Sequence, residues 1–334
     1  GGTCLNRGCI PTKSILASTD LLSKIKKSEE FGITVDSVKV NIEKIIDRKQ
    51  EIVDSLVGGL DKIFKLRKIE VFNNIGKLTG ANEVTLDNGE KLTAKNIILA
   101  TGSEPLILPF FNIDHKNVIT SDDALEMKAI PEKLLVIGGG VVGCEFAGIY
   151  NGLGSAVTVV EMLKNLVPTE DAQISRTLQT SFKKKGIILK LKTKVEKIEI
   201  IEDGKINVCF SDDSEEMYTE VLAAGGRSIN TTGNGIDELN IKLTENKFID
   251  INDQMKTSID NIYAIGDITG KFMLAHVASA QGLVAVANIA GKVKKIDYDS
   301  IPSAVFTTPE IASLGAREQD LKENGITYKT GRFS

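Results

Sequence analysis

No apolar run in this 334-residue sequence reaches the roughly 18 residues that a membrane-spanning helix needs. Net charge is only −4, from 41 Lys plus Arg against 45 Asp plus Glu, so neither nucleic acid nor an anionic membrane surface is an expected partner. Cysteine is scarce. Four thiols are too few for a secreted disulfide scaffold, and their setting points to redox chemistry instead. Histidine is scarcer still, limited to His115 and His276, and no metal site is expected. No leader peptide is visible, and the chain opens without Met inside a motif, so it is expected to be a piece of a longer protein. What remains is an ordinary globular composition, 42% hydrophobic and 26% charged, with a length suited to about two domains.

The densest motif is Gly1-Gly2-Thr3-Cys4-Leu5-Asn6-Arg7-Gly8-Cys9-Ile10-Pro11-Thr12-Lys13. On an ideal helix its two cysteines lie about 7.5 Å apart along the axis, beyond the ~4.4–6.8 Å between Cα atoms that a disulfide prefers. Cys4 is therefore expected on an unwound, loop-like approach, with Cys9 one turn on and Pro11 in a first helical turn. By spacing alone, two buried free thiols explain the pair equally well. Apolar residues then recur at helical period over 14–27 and 42–67, the second run weakened by Gly58-Gly59. Strands are expected at 70–72, 83–86, 90–92 and 96–103, the last an apolar run closing on Ala100-Thr101-Gly102-Ser103. Residues 105–131 read as a linker with a short helix at 121–127, started by Ser121, Asp122 and Asp123.

A βαβ unit follows. Residues 133–137 form a buried strand, Gly138-Gly139-Gly140-Val141-Val142-Gly143 a glycine-rich turn, 144–153 a helix, and 154–161 a second strand ending in Glu161. Gly138 suits the tight turn, Gly140 lets a pyrophosphate approach the backbone, and Gly143 lets helix and strand pack closely. The helix N-terminus favours phosphate. Glu161 suits a ribose 2′-hydroxyl and repels a 2′-phosphate, and Met162-Leu163-Lys164 brings no arginine, so the expected dinucleotide is NAD. Cys144 and Cys209, the latter in a strand at 205–210, are expected to be inert buried thiols.

The string around Cys4 and Cys9 resembles the G-G-T-C-x-N-x-G-C-x-P-[ST]-K signature of the flavin-dependent pyridine nucleotide–disulfide oxidoreductases, and further motifs follow in that family's order along the whole chain. The resemblance implies an α/β fold with two Rossmann-like dinucleotide-binding domains. The FAD domain is split into 1–120 and 249–300, an NAD domain occupies 121–248, and 301–334 begins an α+β dimer-interface domain. It also implies a Cys4–Cys9 redox disulfide, with Cys4 the interchange thiol and Cys9 the thiol against the flavin. Lys13 would lie beside the flavin and pair with Glu145, which faces nicotinamide and flavin. Gly76, Thr101, Gly102 and Ser103 fall on the FAD side, Asp267 on the ribityl chain, and Met273, Leu274, Ala275 and His276 at the isoalloxazine end. Gly139, Val141, Val142, Val195 and Gly226 complete the implied NAD set. Residues 221–230 follow the family's V-L-x-A-x-G-R-x-P-N except at Gly225 and Ile229, and Gly225 is expected to loosen a strand end. Residues 301–315 resemble the first strand of the interface domain.

Val141 stands where glutathione reductases carry a tyrosine, and a small aliphatic residue there is typical of dihydrolipoamide dehydrogenases. The resemblance therefore implies oxidation of dihydrolipoamide with NAD⁺. Implied partners are lipoyl domains of 2-oxo acid dehydrogenase or glycine cleavage complexes, and a second copy of the chain. Bacterial cytoplasm, mitochondrial matrix and plastid fit as compartments, not secretion. Mercuric reductase, and a non-catalytic NAD-binding remnant, stay open as alternatives. The family's first FAD strand would precede Gly1, and its acid–base His-Glu pair would follow Ser334. His276 is a flavin-side residue and His115 an exposed one, so neither supplies the base, and the stretch alone is expected to be inactive.

Overall fold

The computed structural model describes residues 2–201 and 204–333. The chain forms two compact units, each built from separated segments. Residues 1–6, 55–104 and 227–298 make the smaller, and residues 7–54, 105–226 and 299–334 the larger.

The larger unit is organised by a five-stranded sheet in the order Val118–Ile119, Glu220–Ala223, Lys133–Ile137, Ala156–Glu161, Ile188–Leu191. Every neighbouring pair is parallel, with Leu135 facing Val221 on one side and Thr158 on the other. Parallel strands joined by crossover helices are covered on both faces, which is why Leu134, Leu135 and Val136 are an unbroken apolar run with no exposed surface. Burying each is worth about 1.5–3 kcal/mol. One face is covered by the helices Cys9–Lys26, Val141–Leu153 and Ala172–Lys184, through Ile15, Leu16, Phe146, Ile149, Leu178 and Phe182. Gly152 lies so close to the first of these that a Cβ there would come within 3.1 Å of Thr19. The other face carries an antiparallel sheet of Val195–Ile200, Ile206–Phe210 and Glu215–Tyr218. Residues 301–315 fold as a hairpin, Pro302–Val305 against Ile311–Leu314, rather than a single strand, and its Val305 and Ile311 join the main core.

The smaller unit pairs Ile97–Leu99 in parallel with Ile262–Ala264. Around that pair, Leu78, Ile236, Ile249 and Ile268 form one core, and Met255, Tyr263, Val284 and Ala285 a second beneath the helix Ala275–Ile289. A meander of Gly76–Gly80, Glu83–Leu86 and Lys91–Thr93 completes it.

Several local expectations need correction. Cys4 is not on an unwound approach: it lies in a short helix, Gly2–Arg7, and the break falls at Gly8, after which Cys9 opens the helix Cys9–Lys26. Residues 70–72 have strand-like composition but no ladder partner, and Val71 and Phe72 are exposed. The helix expected at 121–127 is the single turn Ser121–Ala124, and its cap is Thr120, whose side chain and backbone N–H both engage Asp123 at the N3 position. Residues 7–54 pack into the larger unit, where Lys49 is buried against Glu126.

Candidate functional site

In the larger unit the strand Lys133–Ile137 ends at Gly138, whose φ of +110° and surroundings both exclude a side chain: a Cβ would sit 2.4 Å from the Ala224 carbonyl oxygen. A Cβ on Gly143 would sit 1.9 Å from the Gly138 carbonyl oxygen, so this glycine sets how closely helix and strand approach. Gly140 has nothing within 4 Å of its would-be Cβ, and it is the N-cap of the helix Val141–Leu153 without a side-chain cap. The turn is therefore closed where the backbone packs and open where the first helical N–H groups point, a cradle whose donors fit a dinucleotide pyrophosphate.

Glu161 ends the next strand, 8% exposed. Its Oε2 accepts the Gly139 N–H at 2.7 Å and its Oε1 the Leu163 N–H at 2.7 Å. This carboxylate thus braces the glycine turn from across the strand crossing, a role that spacing alone did not disclose. Cys144 lies beneath the turn, donating to the Gly139 carbonyl at 3.3 Å, and burial pushes its thiol up to about 12, so it is chemically quiet. Cys209 is half-buried rather than buried. Val195 opens its strand in the second core, 9% exposed. Gly226 takes φ +146°, and its carbonyl accepts the Leu106 N–H at 3.0 Å.

The expected ion pair between Lys13 and Glu145 is not formed. Lys13 Nζ lies 3.6 Å from the centroid of the Phe306 ring, and Glu145 Oε1 accepts the Phe306 N–H at 2.9 Å. Phe306, just past the strand Pro302–Val305, therefore contacts both charged groups, one with its ring and one with its backbone. Burial raises the Glu145 carboxyl to about 7, against the opposing pull of the Phe306 N–H and the Lys13 charge. Nothing in the sequence pointed to Phe306, since an aromatic residue after a strand usually reads as core.

The smaller unit holds a second cluster at the end of Ile97–Leu99. Arg227 Nε donates to Ser103 Oγ at 2.6 Å and Nη2 to the Ser103 carbonyl at 2.6 Å. Ser103 Oγ in turn donates to Asp267 Oδ2 at 2.5 Å. Asn230 closes the same turn: its N–H reaches Gly102 O at 3.0 Å, its Nδ2 reaches Thr101 O at 3.1 Å, and Thr101 Oγ1 returns a bond to Asn230 O at 2.7 Å. A carboxylate, a serine and a glycine at φ +70° are thus presented at two strand ends, a donor and acceptor set that fits the sugar-alcohol part of a flavin nucleotide. Gly266, next to Asp267, donates its N–H to the fully buried Gln281 at 2.6 Å. Gly76 starts its strand, with a would-be Cβ 3.0 Å from Val84. Met273 is 40% exposed, Leu274 is the N-cap of Ala275–Ile289, and Ala275 and His276 are exposed in its first turn.

Cys4 belongs to the smaller unit and Cys9 to the larger, and each is half-buried. Cys9 stands at the first position of its helix, where backbone N–H groups favour a negative sulfur. Thr12 holds that first turn by bonding the Gly8 carbonyl at 2.6 Å. Among the described residues no group of three or more His, Cys, Asp or Glu is placed to hold a metal, and no helix is long and apolar enough to cross a membrane.

The pyridine nucleotide-disulphide oxidoreductase family matches residues 1–282, and its dimerisation domain matches residues 301–334. The chain belongs to the pyridine nucleotide-disulphide oxidoreductases, enzymes that use FAD and NAD. Among curated relatives it is similar to the dihydrolipoyl dehydrogenase of Chlamydia trachomatis serovar D, 40% identical over all of this chain and 72% of that protein. The mitochondrial dihydrolipoyl dehydrogenase of Pisum sativum is 38% identical over all of this chain and 68% of its own length. Among solved structures, LpdA of Mycobacterium tuberculosis superposes with a TM-score of 0.89 over 97% of this chain and 72% of that one, at 27% identity.

Proposed function

We propose that this chain carries the redox disulfide and the nucleotide-binding residues of a dihydrolipoyl dehydrogenase, oxidising a protein-bound dihydrolipoyl dithiol with NAD⁺. The single observation carrying the reading is that one chain holds Cys4 and Cys9, the latter heading a helix, together with a glycine turn braced by Glu161. In the proposed reaction a substrate thiolate attacks Cys4 of the Cys4–Cys9 disulfide and Cys9 leaves as thiolate. The second substrate thiol then displaces Cys4, releasing the cyclic disulfide and leaving two reduced cysteines and two protons. FAD, when bound, carries that electron pair to NAD⁺.

The chain's own residues bind and orient. Gly138, Gly139, Gly140, Val141, Val142 and Gly143 take the NAD pyrophosphate end, Glu161 the ribose, and Val195 and Gly226 the remaining adenosine side. Asp267, with Ser103 as its hydrogen-bond donor, takes flavin hydroxyls, and Gly76, Thr101 and Gly102 line that side. Lys13, Glu145 and residues 273–276 face the flavin ring. His115, bound to Asp123 at 3.0 Å, is not assigned as the acid–base group, nor is His276. We further propose functional boundaries at 120, 248 and 300, and pairing of residues 301–334 with a second copy. Lipoyl domains of 2-oxo acid dehydrogenase or glycine cleavage complexes are the proposed partners, in bacterial cytoplasm, mitochondrial matrix or plastid.

The test is NAD⁺-dependent oxidation of dihydrolipoamide by the native protein and by its Cys4→Ser and Cys9→Ser variants. Each substitution is expected to reduce turnover at least about 10³-fold. Undiminished turnover in either variant overturns the assignment.

A further inference from the structure

The helix Ala275–Ile289 carries a glutamine with no exposed surface, Gln281, and both polar atoms of its amide are engaged. Its Oε1 accepts the Gly266 N–H at 2.6 Å, and its Nε2 donates to Tyr298 Oη at 2.9 Å and to Thr269 Oγ1 at 3.3 Å. Thr269 Oγ1 in turn donates to the Gly266 carbonyl at 2.8 Å, so both backbone polar groups of Gly266 are held. Gly266 and Thr269 bound the short turn that contains Asp267. From this closed set of bonds we infer that Gln281 is a positioning residue: it holds the backbone of the Gly266–Thr269 turn so that the Asp267 carboxylate is presented to the flavin. The inference rests on the flavin assignment of Asp267 given above, and extends it to a residue outside that set.

The donors and acceptors allow only one orientation of the amide. The Gly266 N–H can only donate, so the amide oxygen must face it, which leaves the nitrogen to Thr269 and Tyr298. The threonine proton is committed to the Gly266 carbonyl, so its oxygen accepts from Gln281. Gly266 has φ +76°, a conformation that favours glycine, and its would-be Cβ lies 3.4 Å from Ala278 Cβ. Ala278 and Gln281 are three residues apart on one face of the helix, so that face both limits and anchors the turn. Asp267 is thereby held from two sides, its carboxylate by the Ser103 hydroxyl and the residue before it by Gln281. Tyr298 steadies the amide from behind. Its ring stacks on Phe272, 5.9 Å between centroids and 23° between planes, next to Met273. One buried side chain thus ties the Asp267 turn to the segment leading into residues 273–276. An apolar side chain at 281 would leave the Gly266 N–H buried without an acceptor, and the turn would have to shift to regain one.

The experiment measures FAD affinity by flavin fluorescence on the native protein stripped of flavin, and hydrogen–deuterium exchange of the Gly266 amide by mass spectrometry. In Gln281→Leu, and in Gln281→Met should the first not fold, Gly266 exchange is expected to quicken at least about tenfold and FAD to bind at least about tenfold more weakly. Gln281→Glu, which keeps an oxygen for the Gly266 N–H, is expected to bind FAD within about twofold of the parent. NAD⁺ affinity is expected to be unchanged in all of them. Val284→Ala, buried on the same helix, controls for packing: it is expected to lower the melting temperature while FAD affinity holds. Unchanged FAD affinity in the apolar variants overturns the inference, even with faster Gly266 exchange, since the bond would then be structural only. An equal loss in Gln281→Glu, or in Val284→Ala, overturns it too. Neither readout involves Cys4, Cys9 or substrate, so the inference can fail while the dihydrolipoamide assay succeeds. A parent that binds no FAD would instead sink the flavin assignment, and the inference with it.

Discussion

Two strand-ending turns in this protein do similar work by opposite means. The glycine turn after Lys133–Ile137 is held by what is absent: no Cβ fits at Gly138 or Gly143, and a single carboxylate 22 residues away, Glu161, secures the Gly139 N–H. The Thr101-Gly102-Ser103 turn is held by side chains that arrive from far along the chain, Arg227 and Asn230 from more than 120 residues downstream and Asp267 from 164. The first shape is set by local sterics and a neighbouring strand. The second exists only once distant segments have met, and its chemistry is a chain of charge-assisted hydrogen bonds.

That contrast makes the consequences of mutation separable. The largest effect is expected from Gly143→Ala, because the added carbon would lie 1.9 Å from a backbone oxygen that cannot move away without displacing the strand. Urea unfolding should show a loss of about 3 kcal/mol or more, with NAD binding lost alongside. Titration of Glu145 comes next. Its folded value of about 7 stands above the ordinary 4.5, so the protonated carboxyl is favoured by folding; that contribution is complete below about pH 4.5 and fades as pH rises through 7. The span corresponds to about 3 kcal/mol, and Glu145→Gln should flatten that part of the stability–pH curve, while Glu220, also raised to about 7, continues to act in the same direction. If the curve is unaltered, Glu145 is not buried as described.

Arg227→Ala tests the second turn. Removing the guanidinium strips Ser103 of two donors and leaves Asp267 without its nearby cation, 4.0 Å away. A loss of about 1.5–3 kcal/mol is expected, with flavin affinity at least about tenfold weaker and NAD affinity unchanged. Equal losses of both ligands would erase the distinction between the turns. The smallest effect, and a favourable one, is expected at Gly225: its would-be Cβ meets only Phe111 at 3.8 Å and its φ lies outside the left-handed region. Gly225→Ala should therefore gain about 0.4–1 kcal/mol in a melting experiment, chiefly by restricting the unfolded chain. No gain would show that the loosened strand end has no energetic cost.

The same contrast separates what was legible in the sequence from what was not. The βαβ unit could be read because its glycines, its helix and Glu161 lie within about thirty residues, and each answers a local steric demand. Arg227 and Asn230 could be matched to a motif, yet their partners at 101–103 could not be named, since no periodicity links segments so far apart. Residues 70–72 misled because Val and Phe favour strands only where a neighbouring strand accepts their hydrogen bonds, and here none does. The helix around Cys4 was missed because a short turn of Gly, Thr, Cys and Asn carries no apolar stripe. The Lys13–Glu145 expectation overlooked a ring that attracts the same cation.

The hydrogen bond from the Leu106 N–H to the Gly226 carbonyl bears on how the chain can be synthesised and folded. The parallel partners Ile97 and Ile262 are about 165 residues apart, a loop whose closure costs roughly 4.5 kcal/mol in a structureless chain. When residues 106–226 are folded their two ends are already clasped, so the stretch left to close is about 45 residues. The saving is about 1 kcal/mol. To the split strands, the inserted fold behaves as a short linker, which lets a domain interrupted by some 120 residues assemble nearly as if it were continuous.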